Sequence, residues 1–246
     1  MRLRKDAITC ARLSSGSPRI SRKERRTLMP ATLILLPGAL ALAALLHFER
    51  RQDRRGMVPV KTGLSCLFIA AALLQGSTEG AYFRWLVTGL ILCLAGDVLL
   101  ALPQQRAFLA GIGAFLLGHV AYVAAFFQLT EADLIPWIGA TVTLVVSGAV
   151  YRWLWPHLGD MKFAVLAYVV VISLMVCTAL ALFRMDTLAL PGRRLVLVGA
   201  VLFYVSDLFV ARDRFVSPGF ENRLIGLPLY YAGQFMIAFS LGPLGA

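Results

Sequence analysis

Asp97 and Asp207 sit where acidic residues are rarely found. The first lies within LVTGLILCLAGDVLLAL and the second within VLVGAVLFYVSDLFVA, each with a turn or more of apolar sequence on either side. His119 is placed similarly inside FLLGHVAYVAAF, and Lys61 stands near the start of another apolar run. A carboxylate at the middle of a membrane span costs about 2.5–3.5 kcal/mol, so such groups must face a helix bundle or a wet cavity. Two carboxyls sharing a low-dielectric pocket can divide acid and base work, one keeping its proton while the other stays ionised. A histidine can orient a carboxylate or a water beside them. A lysine near a span end can let its ammonium snorkel to the interface or reach a phosphate.

A structural reading stands beside each of these. An intramembrane Asp can bond a Ser, a Tyr or a backbone N–H of a neighbouring helix as packing glue, His119 can be a satisfied interhelical hydrogen bonder, and Lys61 can be an interfacial anchor. Packing glue explains either aspartate alone better than it explains both. Glu79, Asp186, Asp213 and Glu221 lie in or beside loops and read as solvated.

The elements that must position these groups are membrane spans. From Pro30 onward apolar runs of roughly 17–23 residues recur, each long enough to cross a hydrocarbon core about 30 Å thick at about 1.5 Å per residue. They predict eight helices near 30–48, 58–75, 84–102, 107–129, 134–154, 163–183, 194–211 and 224–242, the second and seventh being the shortest. The gaps ERRQDRRG, LPQQR and RDRFVSPGFENR are short and polar, so consecutive helices should be antiparallel neighbours. The fold class is therefore all-α: a polytopic membrane bundle over 29–246, multi-pass, in a bacterial inner (cell) membrane. Residues 1–28 are Arg- and Ser-rich without apolar period and read as a disordered basic tail; alternatively, synthesis starts at Met29 and the tail has no structural role. Counted from Met29, Lys and Arg concentrate in the loops after spans one, three, five and seven, which puts both termini outside the cytoplasm; including the tail evens the two sides.

Composition agrees. Of 246 residues 59% are hydrophobic and 15% charged, which excludes an ordinary soluble domain. The net charge of +11 is membrane-flanking, with nine cations ahead of Met29 and most others in short gaps. Nucleic-acid binding would gather cations and aromatics on one face, and none is visible, so no nucleic-acid partner is expected. The four cysteines, Cys10, Cys66, Cys93 and Cys177, show no CxxC spacing and read as small hydrophobes, and with three histidines a metal site is not expected. Span four carries a stripe of small residues, Gly111, Ala114, Gly118, Ala121 and Ala125, on which another helix can rest beside His119. Tyr122 follows His119 by one turn, Tyr230 and Gln234 share an edge of span eight, and Tyr204 and Ser206 flank Asp207. Their accumulation in spans three, four, seven and eight favours one polar pocket.

The stretches GDVLLALPQQRAFLAGIGAFLLGHVAYVAAF, AYVVVISLMV, VGAVLFYVSDLFVARDRF and YYAGQFMIAFSL resemble the YhhN family of membrane proteins, whose characterised members are lysoplasmalogenases. The family's signature falls on Gly96 and Asp97, His119 and Tyr122, and Ser206 and Asp207; where members usually carry Lys-Pro at the start of span two, Lys61 is followed by Thr62. The resemblance implies hydrolysis of the vinyl ether bond of a lysophospholipid drawn from the bilayer, with no cofactor and no metal. Asp97, Asp207 and His119 would be catalytic, the two aspartates sharing the acid and stabiliser roles in either order. Lys61, Tyr122, Ser206, Tyr230 and Gln234 would hold substrate. Membrane lipid is the expected surrounding partner, and no feature points to an oligomeric state.

Three other readings compete. A proton-coupled carrier of a small molecule or lipid also uses intramembrane Asp and His, although no inverted repeat of broken helices is visible. A zinc-dependent membrane amidase of the ceramidase type needs several inward histidines, whereas His47 and His157 lie at span ends. A structural scaffold predicts that Asn at either aspartate changes stability alone.

Overall fold

A computed structural model describes residues 22–75, 80–130 and 136–244. The helices are α1 (Arg22–Arg51), α2 (Arg54–Leu73), α3 (Ala81–Ala101), α4 (Gln105–Phe127), α5 (Trp137–Leu154), α6 (Lys162–Phe183), α7 (Leu190–Ala211), α8 (Phe220–Phe239) and the short α9 (Leu241–Leu244). Among the described residues, eight are long and apolar enough to cross a membrane. Residues 1–21 of the basic tail and Glu79 lie outside the described residues, while the stretch from Arg22 onward is helical as the first turns of α1.

The seventh span differs from expectation. It runs Leu190–Val216 and, at 27 residues, is the longest rather than one of the shortest. Pro191 starts it without needing an N–H partner, and Arg193 in its first turn is buried, donating to the Phe183 carbonyl (2.8 Å) and to Asp186 (2.7 Å). At the other end a π-helical turn, Arg212–Val216, prolongs the helix through charged residues. Hydropathy registers charge as a span end, whereas a paired or outward-reaching cation lets the helix continue.

α2, α3, α4, α6, α7 and α8 form a closed ring in which each packs on the next, with α3 also touching α8; α1 lies against α2 and α8, and α5 against α6. The most extensive contacts are α3 with α4 and α7 with α8, and both depend on small residues. On α3, Gly89 and Gly96 make room for the rings of Tyr122 and Phe115, while Gly111 and Gly118 of α4 lie on Leu100 and Cys93. The small-residue stripe of span four is thus a helix seat, as expected. Gly199 of α7 and Gly233 of α8 meet backbone to backbone: a Cβ added at Gly199 would lie 2.9 Å from the Gly233 carbonyl oxygen, and one at Gly233 would lie 2.8 Å from that of Gly199.

The outer face is apolar. Trp137 is 85%, Ile138 82% and Phe163 84% exposed, with Leu33, Leu36, Leu40 and Leu144 also turned outward. In water such a surface would aggregate; against lipid tails it is at rest. The buried core runs through Leu64, Phe68, Leu86, Leu90, Met175, Phe203 and Ile237.

Candidate active site

A cavity of about 610 Å³ is lined by residues from all eight long helices. Its mouth is formed by the end of α1 (Glu49, Gln52), the start of α2 (Arg54), the turn between α3 and α4 (Leu102 to Gln105) and the segment after α7 (Asp213 to Pro218). Its walls carry Phe108, Ile112, Val165, Val169 and Ile172, and its floor region carries Lys61, Asp97, Tyr168, Tyr204, Ser206, Asp207 and Tyr230. That size and composition, apolar walls with a few convergent polar groups, suit a single-chain organic ligand.

Lys61, Asp97, Ser206, Asp207 and Tyr230, all singled out in the sequence, therefore open on one space. Asp97 is 3% exposed. Its Oδ2 accepts from Ser65 Oγ of α2 at 2.6 Å and from Tyr230 Oη of α8 at 2.7 Å, so α3 is tied to both neighbours through one oxygen. Lys61, one turn before Ser65 and 8% exposed, also lines the cavity, and among the described residues it makes no salt bridge. Arg54, Met57 and Lys61 recur on one face of α2, leading from the mouth inward.

Asp207 keeps 17% of its side chain exposed, and its Oδ2 accepts from Tyr168 Oη of α6 at 2.6 Å. His119 Nε2 stands 3.8 Å from the same oxygen. The other ring nitrogen of His119 bonds the Phe115 carbonyl at 2.7 Å. Ser206 gives its proton to the Phe203 carbonyl (2.7 Å) and lies 3.5 Å from Asp207 Oδ1, so it borders the carboxyl more than it binds it.

Three expected site residues stand back from the cavity wall. His119 touches it only through Asp207, behind a shell of Phe203 and Tyr168 rings whose centroids lie 4.5 and 5.3 Å away. Tyr122 and Gln234 do not line it at all: Tyr122 Oη donates to Gln234 Oε1 at 2.6 Å, and the pair is buried between α4 and α8. That bond satisfies the Tyr122 hydroxyl and the Gln234 carbonyl oxygen, while Gln234 Nε2 is buried without a partner among the described residues.

Other residues around the two aspartates carry no obvious signal in the sequence. Tyr168, in the run AVLAYVVVIS, reads as one more apolar-run aromatic, and Ser65 as a small filler. At the mouth, Asp213 is not the solvated loop residue expected. It accepts from the Gly219 N–H (2.8 Å), from Asn222 Nδ2 (3.2 Å) and from Arg223 (3.3 Å), while Arg223 also reaches the buried Glu49 at 3.5 Å. Arg214 lies 3.9 Å over the Phe108 ring and donates to Gln105 at 2.8 Å, joining the π turn to the start of α4. These links close the rim by joining segments distant in sequence, so hydropathy and local spacing do not disclose them.

Residues 56–241, which hold every cavity residue except those at the end of α1 and the start of α2, match the YhhN family. The chain belongs to the YhhN family. Among relatives, "Lysoplasmalogenase" of Mycobacterium bovis is 36% identical over 178 residues, covering 70% of this chain and 64% of that protein. "Lysoplasmalogenase TMEM86B" of Rattus norvegicus is 32% identical over 191 residues, covering 77% of this chain and 75% of its own. "Uncharacterized membrane protein YhhN" of Escherichia coli O157:H7 is 29% identical over 180 residues, covering 72% and 84%. The chain thus spans somewhat less than two thirds of the mycobacterial relative's length. No solved structure matches it.

Proposed function

We propose that this YhhN-family membrane protein is a lysoplasmalogenase, a hydrolase that adds water across the vinyl ether bond of a lysophospholipid and releases a fatty aldehyde and the glycerophospho head group. The observation that carries the reading is the meeting of Asp97 and Asp207, from α3 and α7, on one apolar-walled cavity with the buried Lys61. Names of relatives at 32–36% identity point the same way.

The chemistry follows from the bond. A vinyl ether is cleaved when a proton is added to its β carbon; the electron pair of the double bond forms the new C–H bond, and the adjacent carbon becomes an oxocarbenium ion. Water attacks that carbon, loses a proton to a carboxylate, and gives a hemiacetal. The hemiacetal then breaks its bond to the glycerol oxygen, which takes up a proton as the hemiacetal hydroxyl loses one, leaving aldehyde and alcohol. A carboxylic acid and a carboxylate held in a water-restricted pocket supply the proton and the counter-charge. Lys61 and Arg54, in line from the cavity to its mouth, are placed to receive a phosphate, and the apolar walls to receive the chain.

The same loops that surround the mouth are those in which Lys and Arg concentrate, so the mouth is assigned to the cytoplasmic face of a bacterial inner membrane. The test uses protein purified in detergent with a lysoplasmalogen, alongside lysolipids carrying an alkyl ether or an ester at the same position. Aldehyde release from the vinyl ether lipid alone is expected. Binding of the lipid without aldehyde release would favour the carrier reading and overturn this one.

A further inference from the structure

The geometry points to Asp207, not Asp97, as the carboxyl that holds the transferable proton, with His119 as the positioning residue that keeps it there. The inference rests on the reading above and goes one step further, because that reading leaves the two aspartates interchangeable.

His119 Nδ1 lies 2.7 Å from the Phe115 carbonyl oxygen. A carbonyl cannot donate, so Nδ1 carries the hydrogen and Nε2 of the neutral ring presents a bare lone pair. Nε2 is buried and bonds nothing among the described residues; the acidic oxygen it faces is Asp207 Oδ2 at 3.8 Å. Asp207 Oδ2 already accepts from Tyr168, but with Asp207 ionised the buried Nε2 lone pair would stay unsatisfied and face a carboxylate, which is costly. A proton on either group removes the conflict. It can sit on the ring or on the carboxyl. The ring is fully buried and walled by Phe115, Phe203 and Tyr168, where an imidazolium would be a cation with no water around it, so the carboxyl is the better holder.

Asp97 is furnished the opposite way. Both its close partners, Ser65 and Tyr230, are hydroxyls at 2.6 and 2.7 Å on one oxygen, the Ser65 hydroxyl lying nearer to Asp97 than to the Lys61 carbonyl at 3.0 Å. Lys61, which makes no salt bridge among the described residues, lines the same cavity. Two donors and a nearby cation are the surroundings of an anion. The groups facing Asp207 are by contrast His119 from α4, Tyr168 from α6, and Ser206 of its own helix, and among the described residues its hydrogen-bond and salt-bridge partners include no Lys or Arg.

The proton route then balances. Asp207 gives its proton to the β carbon and becomes a carboxylate; Asp97, already ionised, faces the oxocarbenium ion. The attacking water returns one proton to Asp207, whose neutral carboxyl again faces the His119 lone pair, and the pair is reset for the next turnover. Because Asp207 is partly exposed to the cavity and His119 is not, the proton has one exit, toward substrate.

Infrared difference spectroscopy on the purified, ligand-free protein tests this without relying on turnover. A protonated carboxyl shows a C=O stretch that a carboxylate lacks. That band is expected in wild type and in Asp97→Asn, lost in Asp207→Asn, and shifted in Asp207→Glu, which keeps a carboxyl should the Asn variant fold poorly. His119→Asn should move the band and lower kcat roughly tenfold, less than the 10²–10⁴-fold expected for loss of a general acid. A band lost in Asp97→Asn and retained in Asp207→Asn would overturn the assignment, as would a wild-type spectrum with no difference from Asp207→Asn. Either result would leave lysoplasmalogenase activity itself untouched, and an inactive wild type with the expected band would fault the substrate and not the proton.

Discussion

Asn in place of either Asp97 or Asp207 should cut aldehyde release by roughly 10²–10⁴-fold, the contribution usual for a positioned acid or base, while leaving the purified protein folded. Asn matches Asp in size, so Ser65 and Tyr230 can still donate to the amide oxygen at position 97, and Tyr168 to that at position 207. What is removed is charge at one site and a transferable proton at the other. Steady-state kinetics with a vinyl ether lysolipid measures the effect, and a melting curve shows that the bundle survives. The scaffold reading predicts the reverse pattern, altered melting with no change in any chemistry. Turnover near wild type in either variant would remove that residue from the reaction.

The second large effect lies in the helix seats. A Cβ at Gly233 would come within 2.8 Å of a backbone oxygen and within 3.2 Å of the Phe203 nitrogen, so no rotamer change can relieve it; α7 and α8 must move apart. Gly233→Ala should cost about 3 kcal/mol, the upper end of ordinary overpacking, and Gly233→Leu should leave too little folded protein to purify. Gly113→Ala and Gly148→Ala are the matched controls, because nothing lies within 4 Å of an added Cβ at either. They should be neutral or mildly stabilising, since Ala is the better helix former by up to about 1 kcal/mol. The consequence reaches the site: Tyr230 precedes Gly233 by one turn and Asp207 follows Gly199 by about two, so separating α7 from α8 also parts Asp207 from the Tyr230 to Asp97 bond. Surviving Gly233→Ala protein should therefore lose activity beyond its loss of stability, read as kcat per folded molecule.

How much of this is legible in the sequence depends on which solvent enforces each feature. Lipid tolerates no unpaired backbone and few charges, so eight apolar runs give eight helices nearly at their true places, and Asp97, Asp207 and His119 stand out because the bilayer would otherwise reject them. The same logic does not distinguish Tyr122 and Gln234 from residues that line the cavity. Their polarity within apolar runs suggests the pocket, yet polarity alone does not tell whether a group serves a ligand or a neighbouring helix, and these two serve each other. Tyr168 is missed for the inverse reason: an aromatic ring fits an apolar run so well that its hydroxyl on Asp207 leaves no trace in hydropathy. Glu49, Asp213 and Arg223 look like loop charges because their pairing depends on the end of α1 meeting the start of α8 at the rim, a tertiary fact. The seventh span is underestimated because its charged ends are paired or bent into the rim and remain helical.

Carrying out the reaction in D₂O, with the aldehyde reduced as it forms so that no later exchange can occur, tests most directly whether a carboxylic acid in this cavity protonates the vinyl ether. The account predicts one deuterium on the carbon beside the former aldehyde carbon, in product that the wild-type protein forms roughly 10²–10⁴-fold faster than Asp207→Asn. Aldehyde without that deuterium, or no aldehyde from any vinyl ether lysolipid, would contradict it.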